Sequence, residues 1–171
     1  MAIKTTRITR AWPLDSMEDG FDEDGLPRYD RPYNASDLRA VNALMVTDGV
    51  FKCYRDECVV RRDGETWRVM PGGAVAAGLY APVPNAVDVL DQSDIPTGSY
   101  AHVVLAARFD TAYRDAAIYA YVSEDAEYEP VRTDSVHELV LARIDWRGAY
   151  TDRRLETDVC GYVRPMAPGD T

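Results

Sequence analysis

Asp110 and Asp145 stand where apolar runs end, a position that catalytic carboxylates often occupy. Two carboxyl groups flanking a glycosidic bond can hydrolyse it as acid and base or nucleophile. With 29 Asp and Glu residues in the chain, some such pair arises by chance. Aspartate is also a favoured turn former, and the turn reading is preferred for both. Cys53, Cys58, His102 and His137 formally make a two-Cys, two-His zinc set, but the C-x4-C spacing is loose and the histidines stand on separate strand-like runs. Adding Cys160 makes three cysteines, an odd number and too few for a disulfide framework. They read as free thiols of a reducing compartment, with a Cys53–Cys58 bridge as the minority reading. Asp19, Asp22, Asp24 and Gly25 resemble a calcium loop only faintly, because the 1-3-5 spacing and the glutamate at position 12 are missing. A solvated acidic turn is preferred. No G-x-S-x-G, P-loop, H-E-x-x-H or C-x-x-C motif occurs. Arg153-Arg154 beside Glu156 and Asp158 reads as an ion-paired chain end. Trp12, Tyr33, Tyr80 and Tyr162 could stack on sugars, although packing is the commoner use of an aromatic ring. No catalytic, cofactor-binding or metal-binding residue is assigned.

The elements that would hold such residues are short. The 171 residues suffice for one domain with a real core, and 46% of them are apolar. A net charge of −10 argues against nucleic-acid binding. The first residues lack the apolar segment of a signal peptide, and no apolar run is long enough to span a membrane. Synthesis and folding in a cytoplasm are expected, without membrane insertion. Eleven tyrosines suit pleated surfaces and half-buried interfaces.

One helix is expected, at about residues 35–48. Leu38, Val41 and Met45 fall on one stripe, widened by Leu44, with Arg39, Ala43 and Thr47 opposite. Asn34 is a suitable N-cap with Asp37 answering it, and Gly49 sits where a C′ glycine would end the helix. So short a helix must lay its stripe on the strand-rich remainder or between subunits. Asn42, beside the stripe, reads as capping a polar edge in preference to pairing with symmetry mates. Thereafter the hydrophobic period is two. Residues 58–62 and 65–70 flank Asp63-Gly64 as a hairpin, residues 71–73 turn, residues 74–80 form a strand with a bulge or close approach at Gly78, and residues 81–86 are loop. Residues 100–109 read as a strand covered on both faces. In residues 116–124, Ala117, Tyr119 and Tyr121 share a face too apolar for casual exposure, one that carries the helix or meets another subunit. Residues 137–146 alternate strictly. The fold class is mainly β: an antiparallel sandwich or barrel with one N-terminal helix. The expected divisions are an arm and acidic loop at 1–30, one β-rich domain at 31–163 and a frayed tail at 164–171.

Several segments carry a resemblance. Residues 31–38 (RPYNASDL) leading to Asp48-Gly49-Val50-Phe51, residues 69–78 (VMPGGAVAAG), residues 102–105 with Asp110, residues 118–122, residues 138–144 (ELVLARI) and residues 151–163 (TDRRLETDVCGYV) recur in that order. Together they resemble a family of bacteriophage and prophage tail or baseplate proteins, often the N-terminal module of receptor-binding or tail-fibre chains. Arg153, Glu156 and Tyr162 replace that family's usual Thr, Asp and Trp. The resemblance implies a non-enzymatic virion component without cofactors, a homotrimer that contacts other tail or baseplate proteins, located in the virion tail after synthesis in a bacterial host. It also makes Cys160 part of a packing motif. Leu38, Val41, Asn42, Met45, Tyr119 and Tyr121 are then the expected oligomer interface. A module binding host surface polysaccharide is the alternative, and a glycan hydrolase a more distant one.

Overall fold

The computed structural model describes residues 18–25, 27–29, 35–110 and 115–170. The chain divides into two compact units, Met1–Asp37 and Leu38–Thr171. In the first, β1 (Glu18–Phe21) pairs antiparallel with β2 (Pro27–Tyr29). The Asp22 carboxylate accepts the Asp24 N–H at 3.0 Å and its carbonyl accepts the Gly25 N–H at 3.1 Å. The stretch expected as an acidic loop is therefore a hairpin, turned by the short side chain of Asp22. Helix α1 (Ala35–Met45) follows, ending three residues before the expected boundary. The expected N-cap, Asn34, lies outside the described residues.

The second unit is mainly β, and among the described residues its strands pair antiparallel, with one isolated parallel bridge between Val50 and Tyr162. Its strands are β3 (Gly49–Val50), β4 (Val60–Asp63), β5 (Thr66–Val69), β6 (Gly72–Ala76), β7 (Leu79–Val83), β8 (Val87–Asp91), β9 (Tyr100–Arg108), β10 (Asp115–Ser123), β11 (Val136–Asp145) and β12 (Tyr150–Asp152). They form three sheets in the orders β10-β9-β11-β12, β3-β6-β7 and β4-β5-β8. One sandwich-like core draws on all three: Val50, Val60, Trp67, Val69, Ala74, Val83, Val103, Leu105, Leu139 and Ile144 are all buried in it. As expected, β9 is covered on both faces, with residues 101–107 all buried. Trp67 and Val69 point inward together, while Arg68 points out to pair with Asp63 and Asp88 at 2.7 and 2.6 Å.

Several local readings are corrected. Residues 74–80 are not one strand: Ala76 pairs with Leu79, so Ala77-Gly78 is a two-residue hairpin turn with φ of 47° and 73°. Positive φ at both central residues matches the right-handed twist of the flanking strands. Alanine tolerates it here because Asp48 Oδ1 accepts the Ala77 N–H at 2.8 Å. Residues 81–83 belong to β7, where Pro82 is accepted because β7 is an edge strand. The hairpin of β4 and β5 turns on Gly64-Glu65, one residue later than expected. Gly72 and Gly73 lie inside β6, not in a turn; a Cβ on Gly72 would sit 2.4 Å from the Cys58 nitrogen. Gly49 does not cap the helix. Its φ of 139° begins β3, and a Cβ there would come within 2.5 Å of the Gly161 carbonyl oxygen. Residues 164–170 of the expected frayed tail are held in place: Arg164 pairs with both Asp170 oxygens at 2.5 and 2.7 Å and Met166 N–H reaches the Met45 carbonyl at 3.0 Å.

The alternation expected along β11 breaks once. Val140 pairs with Val104 but Ala142 with Val103, so Leu141 is the extra residue of a bulge. Leu139 and Leu141 face the core before it, Ala142 and Ile144 after it. The slip puts Glu138 and Arg143, an even and an odd position, on the same opposite face of the sheet.

Candidate functional site

Helix α1 presents its apolar stripe to solvent. Leu38 is 52% exposed, Val41 37%, Leu44 77% and Met45 61%. Residues 38–45 of the helix belong to the second unit, and the side that meets the β6–β7 turn is polar or backbone. Gly78 abuts the Arg39 carbonyl so closely that a Cβ would lie 2.0 Å from its oxygen, and Asn42 Nδ2 donates to the Gly78 carbonyl at 3.1 Å. The Arg39 guanidinium lies 4.2 Å from the centre of the Phe109 ring. The expectation that the stripe packs on the chain's own strands is therefore corrected. Backbone close approach and Asn42 seat the helix, and both hold it with the greasy side outward. Asn42 takes the edge-capping role preferred from the sequence. Beside the helix end lies a groove of about 410 Å³, bordered by Ala43, Val46, Thr47, Ala77 and Met166, with Asp48 and Asp170 at its polar side.

Tyr119 and Tyr121 share a face as expected, but the chain's own residues 124–132 lie across it as a strap. The Tyr128 ring packs 5.2 Å from that of Tyr121 and 5.2 Å from that of His102, stacking on the latter. Beneath the strap Glu138 is buried and its carboxylate accepts from the Tyr119 hydroxyl, from the Tyr128 hydroxyl at 2.8 Å and from the Val131 N–H at 2.7 Å. Burial first, and then the bond to Glu138, push both tyrosine hydroxyls above their ordinary pKa. Arg143 and Arg153 converge on the strap's Glu127 at 2.9 and 3.1 Å. His102 Nε2 donates to the Asp125 carbonyl at 3.1 Å, which leaves Nδ1 as the acceptor. Burial holds that histidine below its ordinary pKa, and so neutral. Neither the helix nor an emptied surface occupies this face; Tyr121 stays exposed at its rim.

The chemistry-bearing residues do not converge. Asp145 pairs with the start of β9 through Tyr100, and Asp110 follows its end. The length of β9, roughly 30 Å at about 3.3 Å per residue, separates them, well beyond the reach of one glycosidic bond. Asp145 serves the turn, accepting the Arg147 and Ala149 N–H groups at 2.8 and 2.7 Å. His137 pairs with Asp48 at 2.6 Å. The three cysteines are free: Cys53 exposed, Cys58 and Cys160 buried, with burial pushing the latter two thiols up to about 11 and about 12. Among the described residues no three His, Cys, Asp or Glu side chains gather to hold a metal. Of the partners expected for Arg153-Arg154, Glu156 pairs with Arg153 at 2.7 Å, while Arg154 pairs with Asp152 at 2.6 Å.

A feature with little sequence signal is the loop of residues 51–59. Cys53, Arg55, Glu57 and Cys58 all have φ between 53° and 59°. Each such non-glycine residue costs about 1–2 kcal/mol. Glu57 offsets that cost: Oε1 accepts the Cys53 N–H at 2.7 Å and Oε2 accepts the Tyr162 hydroxyl at 2.9 Å. Arg154 donates to the Glu57 carbonyl at 2.8 Å, tying the loop to the chain end. The backbone bond from Cys53, then the Tyr162 hydroxyl, hold the Glu57 carboxyl below its usual range. The loop carries Tyr54 outward beside Tyr80. Comparison with protein-family models, with curated proteins and with solved structures returns no match.

Proposed function

We propose that this chain is a non-enzymatic structural component of a phage tail or baseplate, an oligomeric scaffold or adaptor for the host-attachment apparatus. The carrying observation is the outward apolar stripe of α1. Four large side chains are held in water by a helix whose inner contacts are backbone and polar. Fully burying such a side chain contributes about 1.5–3 kcal/mol; these four are already partly covered, so completing their burial contributes roughly half of that each, a sum comparable to the lower part of the cost of association. An assembly therefore uses this face together with further contacts. Threefold association places three such stripes around one axis, and the ordered motif resemblance supplies the tail setting. The mechanism is mechanical: a β core fixes neighbouring parts in position.

Sedimentation equilibrium tests this reading. The wild-type chain is expected to associate, with a trimer mass at high concentration. Leu38→Glu combined with Leu44→Glu is expected to remain monomeric with an unchanged circular dichroism spectrum, because both positions are exposed. A strict wild-type monomer at high concentration overturns the proposal, as does a double variant that associates like the wild type.

A further inference from the structure

We infer that Tyr54, Tyr80 and Arg55 form a binding platform for an acidic glycan, with a sugar ring lying on the tyrosines and its carboxylate meeting the arginine. The platform is independent of the α1 face. Phe51 props both tyrosines edge-on, with ring centres 6.5 Å away for Tyr54 and 5.9 Å for Tyr80. The rings stand over Gly73, where a Cβ would meet Tyr80 at 3.1 Å and Phe51 and Tyr54 at 3.5 Å. The glycine thus makes room for a fixed aromatic cluster, yet Tyr54 and Tyr80 remain among the exposed aromatic residues. Pre-positioned, part-exposed rings suit the apolar C–H side of a pyranose at little entropic cost.

Charge selects the sugar class. Arg55 Nη1 donates to the Pro84 carbonyl at 2.8 Å, which orients the guanidinium without neutralising it. It also lies 5.8 Å from the centre of the Tyr54 ring. Among the described residues no carboxylate pairs with it, nor with Lys52 on the same loop, whose ammonium is 5.8 Å from the Tyr162 ring centre. Asp56 and Glu57 on the same loop pair with Arg61 and Arg154, and Lys52 lies in the field of Glu57, so Arg55 is the cation offered to an anion, and a guanidinium receives a carboxylate in bidentate fashion. A uronate unites the two requirements, a stackable ring and a carboxylate.

Calorimetric titration of the full chain with trimers of galacturonate, glucuronate and mannuronate tests the inference, with galactotriose as the neutral control and triglutamate as the acidic peptide control. At least one uronate trimer is expected to bind more tightly than both controls. Tyr80→Ala is expected to weaken it about tenfold, and Arg55→Gln to abolish the preference over galactotriose. Tyr54→Ala serves as a second variant should Tyr80→Ala perturb folding. Three results overturn the inference: no uronate trimer binds, triglutamate binds as well as the uronates, or both tyrosine variants bind like the wild type.

Discussion

Replacing Glu57 with glutamine tests whether one carboxylate holds the strained 51–59 loop. The substitution keeps the shape and leaves one amide oxygen for the Cys53 N–H, but it removes the charge and turns an amide group toward the Tyr162 hydroxyl. A hydrogen bond to a charged group contributes about 1.5–3 kcal/mol net and a neutral one about 0.5–1.5. Two bonds therefore each lose about 1 kcal/mol. Solvent reaches 25% of the side chain, so the lower half of the resulting range applies, about 1–2 kcal/mol. For a chain of this length that lowers Tm by about 3–6 °C. Glu57→Ala removes both acceptors and costs about 3 kcal/mol or more.

The pH dependence isolates the charge. The folded carboxyl titrates below the reference value of 4.5. Its contribution is complete above that reference and is lost as pH falls from there through the folded value. Urea denaturation from pH 7 to pH 3 should show a constant gap between wild type and Glu57→Gln down to about pH 4.5, then a closing gap. A gap that stays constant to pH 3, or no gap at pH 7, refutes the assignment of the loop's restraint to this carboxylate.

Gly78→Ala forces a Cβ to 2.0 Å from a helix carbonyl oxygen, whereas Gly98→Ala, at φ of 85° with nothing within 4 Å, meets only backbone strain. Denaturant melts should show a loss of about 1–2 kcal/mol for Gly98→Ala and at least twice that for Gly78→Ala; equal losses would remove the steric account of how α1 is seated. Glu138→Gln weakens three bonds beneath the strap, and hydrogen exchange at the Val131 amide should accelerate by about tenfold or more, with unchanged exchange showing that the strap is held elsewhere. At pH 8 a thiol reagent should label Cys53 alone in the native protein and all three cysteines in urea, because Cys58 and Cys160 are buried and protonated; rapid native labelling of a second thiol would contradict that burial.

The sequence pattern carried the core further than the surface, and the reason is physical. Period-two runs and Gly-centred turns report a residue's nearest neighbours, so β9, the β4–β5 hairpin to within one residue and the antiparallel class were legible. The β11 bulge was not, because Leu139, Val140, Leu141 and Ala142 are all apolar and no polar residue marks where the faces exchange. That unmarked slip brings Glu138 and Arg143 beneath one strap, so the covering of Tyr119 was hidden with it. The 51–59 loop was hidden for another reason. Its left-handed residues are Cys, Arg, Glu and Cys, not glycine or asparagine, and the restraint comes from Tyr162 and Arg154 about a hundred residues later. Helix α1 shows the limit most sharply. Its periodicity identified the stripe residue by residue, but amphipathicity says which side is apolar and not what covers it. Gly78 and Asn42 decide the orientation, since only a residue without a Cβ admits the Arg39 carbonyl and only a side-chain donor reaches the Gly78 carbonyl. With those two contacts facing inward, the apolar side has no position left except outward, where a neighbouring chain can cover it.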